Sequence, residues 1–293
     1  MSNTILVTGA TGTVGTESIK ALSNRGLTVR AGVHSLIKGD RLKQLNPDVQ
    51  LVELDYDKPQ TLQVALTGVN RLFLITPFTE DQVAIGQRVI DAAKQAGVQH
   101  IVRLSVAGAA VEPGIQLGRW HREVEKYLEQ SGIPFTHLRP GSFMQNFVNY
   151  NADSICQEGK IYMPLGEAKV SYIDARDIAA TAAQILSADT TEHHGKAYEL
   201  SGPQALGIAE AAAAIGQATG QPVHYVDVPE ETARQAMDKA PTWMRDAMLE
   251  LYRLSKAGYT ANITTTVEDI TGCAPHTFEQ FAQHNSHRFK AKS

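Results

Sequence analysis

Three glycines at an even spacing of three, in Thr8-Gly9-Ala10-Thr11-Gly12-Thr13-Val14-Gly15, are the residues of this chain best suited to hold a ligand. They follow a short apolar run, Ile5-Leu6-Val7, and precede a helical pattern through Ile19 and Leu22 that ends at Asn24-Arg25-Gly26. A second apolar run, Leu27 to Val33, comes next. Strand, glycine-rich turn, helix and strand in that order are the setting in which a dinucleotide's pyrophosphate is cradled. Gly9 gives the tight turn, Gly12 lets the pyrophosphate approach the backbone, and Gly15 lets the helix pack close to the strand. Thr11, Thr13 and Val14 lie between them, and the free N–H groups of the helix start face the phosphates. The spacing G-x-x-G-x-x-G is one residue longer than the common G-x-G-x-x-G.

The end of the second strand decides which dinucleotide fits, because an acid there bonds the ribose 2′-hydroxyl of NAD and repels a 2′-phosphate. Here the stretch reads Arg30-Ala31-Gly32-Val33-His34-Ser35-Leu36-Ile37-Lys38, without an acid. Arg30, His34 and Lys38 offer positive or potentially positive groups, and Ser35 offers a hydroxyl. NADP(H) is therefore the expected cofactor, with NAD(H) left open.

The elements that must position these residues are legible in outline. The chain has 293 residues, 43% hydrophobic and 20% charged, the composition of a folded protein with a sizeable core. A formal charge of -4 gives no electrostatic footprint for nucleic acid, and the basic residues from Arg288 to Lys292 are too few to change that. No apolar run approaches the ~18 residues of a membrane span, and Met1 to Thr4 leads straight into a strand, leaving no room for a signal peptide. Two cysteines, Cys156 and Cys273, lie far apart, which fits a reducing, cytoplasmic setting.

Strand-like runs recur at 50–54, 71–75, 100–104 and 134–138, alternating with helical patterns, of which Ile85, Val89, Ala92 and Ala96 form the clearest. This alternation predicts an α/β fold with a Rossmann-type doubly wound parallel sheet. Such sheets bind ligands at the carboxyl ends of their strands, so Asp55, Tyr56, Thr76, Pro77, Ser105 and Pro140 are expected on the cofactor side. Beyond residue 150 the reading gives strands at 161–163, 170–173, 197–200 and 223–228. It gives helices at 175–186, 208–218, 230–240, 242–258 and 277–287. The expected division is a dinucleotide-binding domain over 1–150 and a smaller C-terminal α/β lobe over 151–293, interleaved with the first and placed as a lid over the substrate.

Thr8-Gly9-Ala10-Thr11-Gly12-x-x-Gly15, Val29-Arg30-Ala31, Leu54-Asp55, Ser131-Gly132-Ile133-Pro134-Phe135-Thr136-x-Leu138-Arg139-Pro140 and Tyr172-Ile173-Asp174-x-Arg176-Asp177-Ile178-Ala179 together resemble the NmrA-like branch of the atypical short-chain dehydrogenases/reductases. The resemblance runs from about residue 3 to 200. It implies either an NAD(P)H-dependent reductase of quinones, azo dyes or triphenylmethane dyes, or a redox sensor that binds the dinucleotide without turnover. The family usually has Arg at the position of His34.

Typical short-chain dehydrogenases pair a Ser after the fifth strand with Tyr-x-x-x-Lys, because a carbonyl accepting hydride needs a proton from a Tyr that a nearby Lys has activated. Ser105 sits where that Ser belongs, but no Tyr lies between it and Tyr127, and Tyr127 is followed four residues on by Ser131. Tyr252 and Lys256 have the spacing but come far too late in the chain. Alcohol chemistry and sugar epimerisation are thus disfavoured. Direct hydride transfer from NADPH to a small aromatic acceptor remains, since such acceptors need no side-chain acid. Phe78, Phe143 and Met144 follow strand ends and are the expected substrate-side residues.

His121 shares a helix with Trp120, Val124, Tyr127 and Leu128, and the resemblance aligns it with a His frequent in dye and quinone reductases. It is the candidate catalytic residue, with a solvent-facing pairing to Glu125 as the other reading. His193-His194 and His284-x-x-His287 lack Cys or acidic partners at ligand spacing, so no metal is expected. The expected function is an NADPH-preferring reductase of a small aromatic acceptor, with a non-catalytic NADP-binding sensor as the alternative. A homodimer or a regulatory protein partner is left open.

Overall fold

The computed structural model describes residues 3–23 and 25–290; Met1, Asn24 at the expected end of the first helix, and Lys292 of the tail lie outside the described residues. Among the described residues nine strands run in chain order: β1 (Thr4–Val7), β2 (Thr28–Val33), β3 (Gln50–Glu53), β4 (Arg71–Leu74), β5 (His100–Leu104), β6 (Phe135–Pro140), β7 (Lys160–Met163), β8 (Lys196–Leu200) and β9 (His224–Asp227). The first helices are α1 (Thr13–Ala21), α2 (Leu36–Gly39), α3 (Pro59–Leu66), α4 (Gln82–Gln95) and α5 (Gln116–Gln130), with a 3-10 turn at Asp40–Gln44 after α2. Next come α6 (Gln145–Tyr150), α7 (Ala152–Glu158), α8 (Ala175–Ser187), α9 (Thr190–His193) and α10 (Ile208–Thr219). The last are α11 (Glu230–Ala236), α12 (Thr242–Lys256), α13 (Thr266–Thr271) and α14 (Phe278–His284).

The main sheet has the order β3-β2-β1-β4-β5-β6-β8. β1 is buried along its whole length, as befits a central parallel strand covered on both faces. It pairs in parallel with β2 (Ile5 opposite Val29) and β4 (Ile5 opposite Arg71). The strand order reverses between β1 and β4, which is the switch point where doubly wound sheets bind ligands. The α/β, Rossmann-type doubly wound sheet expected from the alternation is therefore present.

The chain divides into two compact units, 1–140 with 175–199, and 141–174 with 200–293. The division falls at Pro140 and not at residue 150, and the chain returns to the first unit for α8, α9 and most of β8. The physical reason is α8, which packs against α1. Its buried face includes Ile178, Ala179, Ala182, Ala183, Ile185 and Leu186, and α1 presents Gly15, Ser18 and Ile19.

In the second unit β7 and β9 form a two-stranded parallel sheet. Its core carries an aromatic chain: Phe147 to Tyr172 at 5.2 Å, Phe147 to Phe278 at 5.0 Å and Phe278 to Phe281 at 5.5 Å between ring centroids. The strand expected at 170–173 is not formed; the segment makes isolated bridges through Val170 and Ile173. Its backbone is diverted, with Ser171 N–H bonding Thr260 O and Tyr172 N–H bonding Val170 O. α6, α7 and α13 were not expected, and the helices expected at 230–240 and 277–287 are shorter. Among the described residues no helix is long and apolar enough to cross a membrane.

Candidate functional site

The glycine turn joins β1 to α1, and each glycine answers a different local demand. Gly9 has φ +57°, the left-handed region, and lies against Ile75. At Gly15 a Cβ would lie 2.2 Å from Gly9 O and 2.7 Å from Ala10 Cα, so the helix sits on its own turn with no space left. Gly12 is different: it is exposed, and a Cβ there would meet only Gly9 O, at 3.2 Å. The first helical bond runs from Thr16 N–H to Gly12 O at 2.9 Å, so the N–H groups of Thr13, Val14 and Gly15 are those a helix leaves unbonded at its start. The side chain of Val14 is buried in the core, while Thr11 and Thr13 are partly exposed. Thr8 ties the turn to β4, its Oγ1 donating to Ile75 O at 2.9 Å and accepting from Ile75 N–H at 2.8 Å.

At the end of β2 the expected cations separate. Arg30 points to α3, donating from Nη1 to Ala65 O at 2.8 Å and Thr67 O at 2.9 Å, so it closes that helix's carboxyl end and is removed from the phosphate set. His34 is 81% exposed and its Nδ1 lies 3.9 Å from Asp55 Oδ2. Ser35 caps α2, with Lys38 N–H 3.5 Å from its Oγ. The residue that sequence reasoning missed is Arg41, whose Nη2 donates to Thr11 O at 2.6 Å and so reaches the glycine turn from the 3-10 turn. No local spacing signals this contact, which spans thirty residues.

Beyond β3, Asp55 is tightly held: its Oδ1 accepts from Asp57 N–H at 3.1 Å and its Oδ2 pairs with Lys58 Nζ at 3.0 Å. The Asp57 N–H and then Lys58 lower its pKa. Tyr56 donates its hydroxyl to Ile75 O at 3.3 Å, and burial raises its pKa. Thr76 and Pro77 are partly exposed after β4, and Phe78 is 38% exposed.

Between α5 and the β5–β6 pair lies a layer of buried charge. Arg103 stands opposite His137 in the register, so both face α5 together with Ser105 and Arg139. Glu125 on α5 is fully buried and accepts from Ser105 Oγ at 2.6 Å, Arg139 Nε at 2.9 Å, Arg139 Nη2 at 2.7 Å and Arg122 Nη1 at 3.0 Å. Burial alone would raise its pKa, yet the hydrogen bonds from Arg139 and Ser105 hold it at about 2. Glu125, Glu129 and His137 approach one another closely enough to suggest a metal, but Arg122 and Arg139 already balance the two carboxylates. Ser105, expected on the cofactor side, has its hydroxyl engaged in this interior network. Pro140 is likewise buried, its carbonyl accepting from Ala107 N–H at 2.9 Å.

His121 pairs with Arg103, not with Glu125: Arg103 Nη2 lies 3.1 Å from His121 Nδ1. A guanidinium only donates, so Nδ1 is the acceptor and the ring proton sits on Nε2. Burial, followed by the charge of Arg103, pushes the His121 pKa down to about 3, leaving the ring neutral near pH 7. Arg103 itself is fully buried, with Nε and Nη1 lacking hydrogen-bond partners.

The remaining substrate-side candidates belong to the second unit. Met144, expected on the substrate side, is 1% exposed within the aromatic core and packs closely near Gly202. Phe143 is partly buried and bridges Ile173 through its backbone.

Comparison with known proteins accords with this geometry. The model of the NmrA-like family matches residues 1–282. An NAD(P)H azoreductase of Xenophilus azovorans is 43% identical over 98% of this chain and 99% of its own. The structure of the NADPH-dependent quinone oxidoreductase QOR2 of Escherichia coli, complexed with NADPH, superposes with a TM-score of 0.82 at 28% identity, covering 96% of this chain and 99% of that one. The Citrobacter sp. triphenylmethane reductase complexed with NADP(H) gives a TM-score of 0.82 at 25% identity, covering 97% and 99%. A family match over nearly the whole length, on a chain whose turn, sheet order and buried layer are those just described, means that this protein belongs to the NmrA-like family.

Proposed function

We propose that this protein is an NAD(P)H-dependent oxidoreductase that passes hydride directly to a small aromatic acceptor of the quinone, azo or triphenylmethane type. The observation that carries the reading is the contrast within the glycine turn, closed at Gly15 and open at Gly12, beside the free N–H groups of the α1 start. That cradle fits a dinucleotide pyrophosphate, because the space a Cβ would take at Gly12 is where a phosphate approaches the backbone. The names of the three relatives support the acceptor class and an NADP(H) cofactor, with NAD(H) also served.

When bound, the cofactor supplies the hydride. Gly12 admits its pyrophosphate, and the N–H groups of Thr13 to Gly15 receive the phosphate charge. Thr11, Asp55, Tyr56, Thr76 and Pro77 follow the carboxyl ends of their strands, the side on which a doubly wound sheet would hold a dinucleotide. Phe78 offers an apolar face to the acceptor. His121 donates a hydrogen bond from Nε2–H to the acceptor atom that gains negative charge. The ring is neutral and its Nδ1 is engaged by Arg103, so it stabilises that charge without giving up a proton, and water completes the reduction. The two buried Arg103 nitrogens without partners weigh against a purely stabilising role for this pair. Both cysteines are free, which supports a reducing, cytoplasmic setting.

The test is the loss of nicotinamide absorbance when the protein meets NADPH or NADH with a naphthoquinone, an azo dye or a triphenylmethane dye, against protein-free controls. Acceptor-dependent oxidation, faster with NADPH, is expected. His121→Phe is expected to lower kcat about 100-fold while leaving NADPH affinity in place. Tight NADPH binding with no acceptor-dependent oxidation would replace the enzyme by a redox sensor.

A further inference from the structure

Resting on the dinucleotide reading of the glycine turn, the structure also speaks to how one phosphate more or less is told apart. NADPH differs from NADH by a 2′-phosphate, and the basic groups near the turn are mostly committed elsewhere. Arg30 holds the carboxyl end of α3, Lys43 pairs with Asp40 at 2.9 Å and Lys58 pairs with Asp55 at 3.0 Å. His34 lies toward a carboxylate, Asp55. Lys38 and Arg41 are exposed and have no ion pair among the described residues, and of these two Arg41 is the one anchored to the turn, through Thr11 O.

A guanidinium carries five N–H donors in a planar fork. The Thr11 carbonyl accepts at Nη2 and fixes the plane of the fork, which leaves most of the donors to a second partner. Thr11 stands directly before Gly12, so the charge is held at the mouth of the opening and not on a freely swinging side chain. We propose that Arg41 is the specificity residue for the 2′-phosphate, a part for which Arg30, His34, Ser35 and Lys38 were the expected candidates. A fixed, always-charged fork binds a phosphate dianion in two-point fashion, which an exposed imidazole beside a carboxylate does not.

Equilibrium affinities for NADPH and NADH, read by nicotinamide fluorescence at low ionic strength, test this on the wild-type protein, Arg41→Gln, Arg41→Lys and Lys43→Gln. Thermal melting confirms that each variant is folded. Arg41→Gln is expected to weaken NADPH about 10- to 100-fold and NADH by less than about 3-fold, with 2′,5′-ADP losing its advantage over 5′-ADP as a competitor. Arg41→Lys is expected to keep part of the discrimination, and Lys43→Gln all of it. Equal weakening of both cofactors by Arg41→Gln would mean that Arg41 only props the Thr11 turn, and an unchanged ratio would remove it from recognition; either overturns the proposal. Wild-type protein that binds neither cofactor would instead overturn the dinucleotide reading beneath it.

Discussion

The first unit handles charge in opposite ways at two places. At the mouth of the glycine turn Arg41 is exposed and has no carboxylate partner among the described residues. Under α5 the charges are buried and Glu125 is matched, receiving four donors from Ser105, Arg139 and Arg122, while two nitrogens of Arg103 are left over. Unmatched surface charge at a turn draws in an anionic ligand at little cost to the fold. Matched interior charge fixes one geometry, and it becomes a liability when a partner is lost.

The largest effect should come from breaking the buried side. Glu125→Leu strands Arg139 and Arg103 without their counter-charge, and a loss of about 3–5 kcal/mol is expected. Thermal melting should show a midpoint lower by roughly 10 °C. An unchanged midpoint would mean that the layer is hydrated and the comparison false.

Next comes a pair of glycine substitutions that separates fold from binding. Gly12→Val meets only Gly9 O, at 3.2 Å, so the protein should lose little of its melting midpoint yet bind NADPH at least about 100-fold more weakly. Gly15→Ala places a methyl 2.2 Å from Gly9 O and should lower the melting midpoint. The comparison sharpens if the two variants fail in these different assays, and breaks if Gly12→Val retains its affinity.

The effect smallest for each single group is a pH dependence of stability, which accumulates over three histidines and several pH units. Burial lowers the pKa of His100 to about 4, of His121 to about 3 and of His137 to about 4. Below the unfolded value of about 6.5 the unfolded chain takes up protons that the folded chain refuses. Stability should therefore fall as pH drops from about 6.5 toward 4, by at most about 1.4 kcal/mol per pH unit for each histidine. The depressed Glu125 adds to this only at lower pH, as its stabilisation is lost between about 4.3 and 2. Melting curves at pH 7.5, 6 and 5 check it, and a flat profile would show that the rings are charged in the fold.

What could be read from the sequence follows from how local each signal is. The β1-turn-α1-β2 unit is written in adjacent residues, and its geometry follows from a turn that only glycine permits at Gly9 and a contact that only glycine permits at Gly15. Arg30 was legible in principle: it alternates with the buried Val29 and Ala31 and so leaves the strand on the other face. Ser105 was not, because its partner Glu125 lies across a packed interface twenty residues away. Arg41 was hidden for the same reason, as a tertiary contact leaves no periodicity. The run at 170–173 reads as a strand, but the hydrogen bond from Ser171 N–H to Thr260 O, 89 residues further along the chain, takes the place of a ladder.

The Arg41–Thr11 contact is solvent-exposed, and that has a consequence for the medium in which the protein works. Mobile ions screen an exposed guanidinium over about 8 Å at physiological ionic strength, whereas they barely reach charges sealed under α5. Rising salt should then loosen the hold on a phosphate while leaving the folded framework almost untouched. Ionic strength would set how much cofactor the protein carries, independently of how well it stays folded.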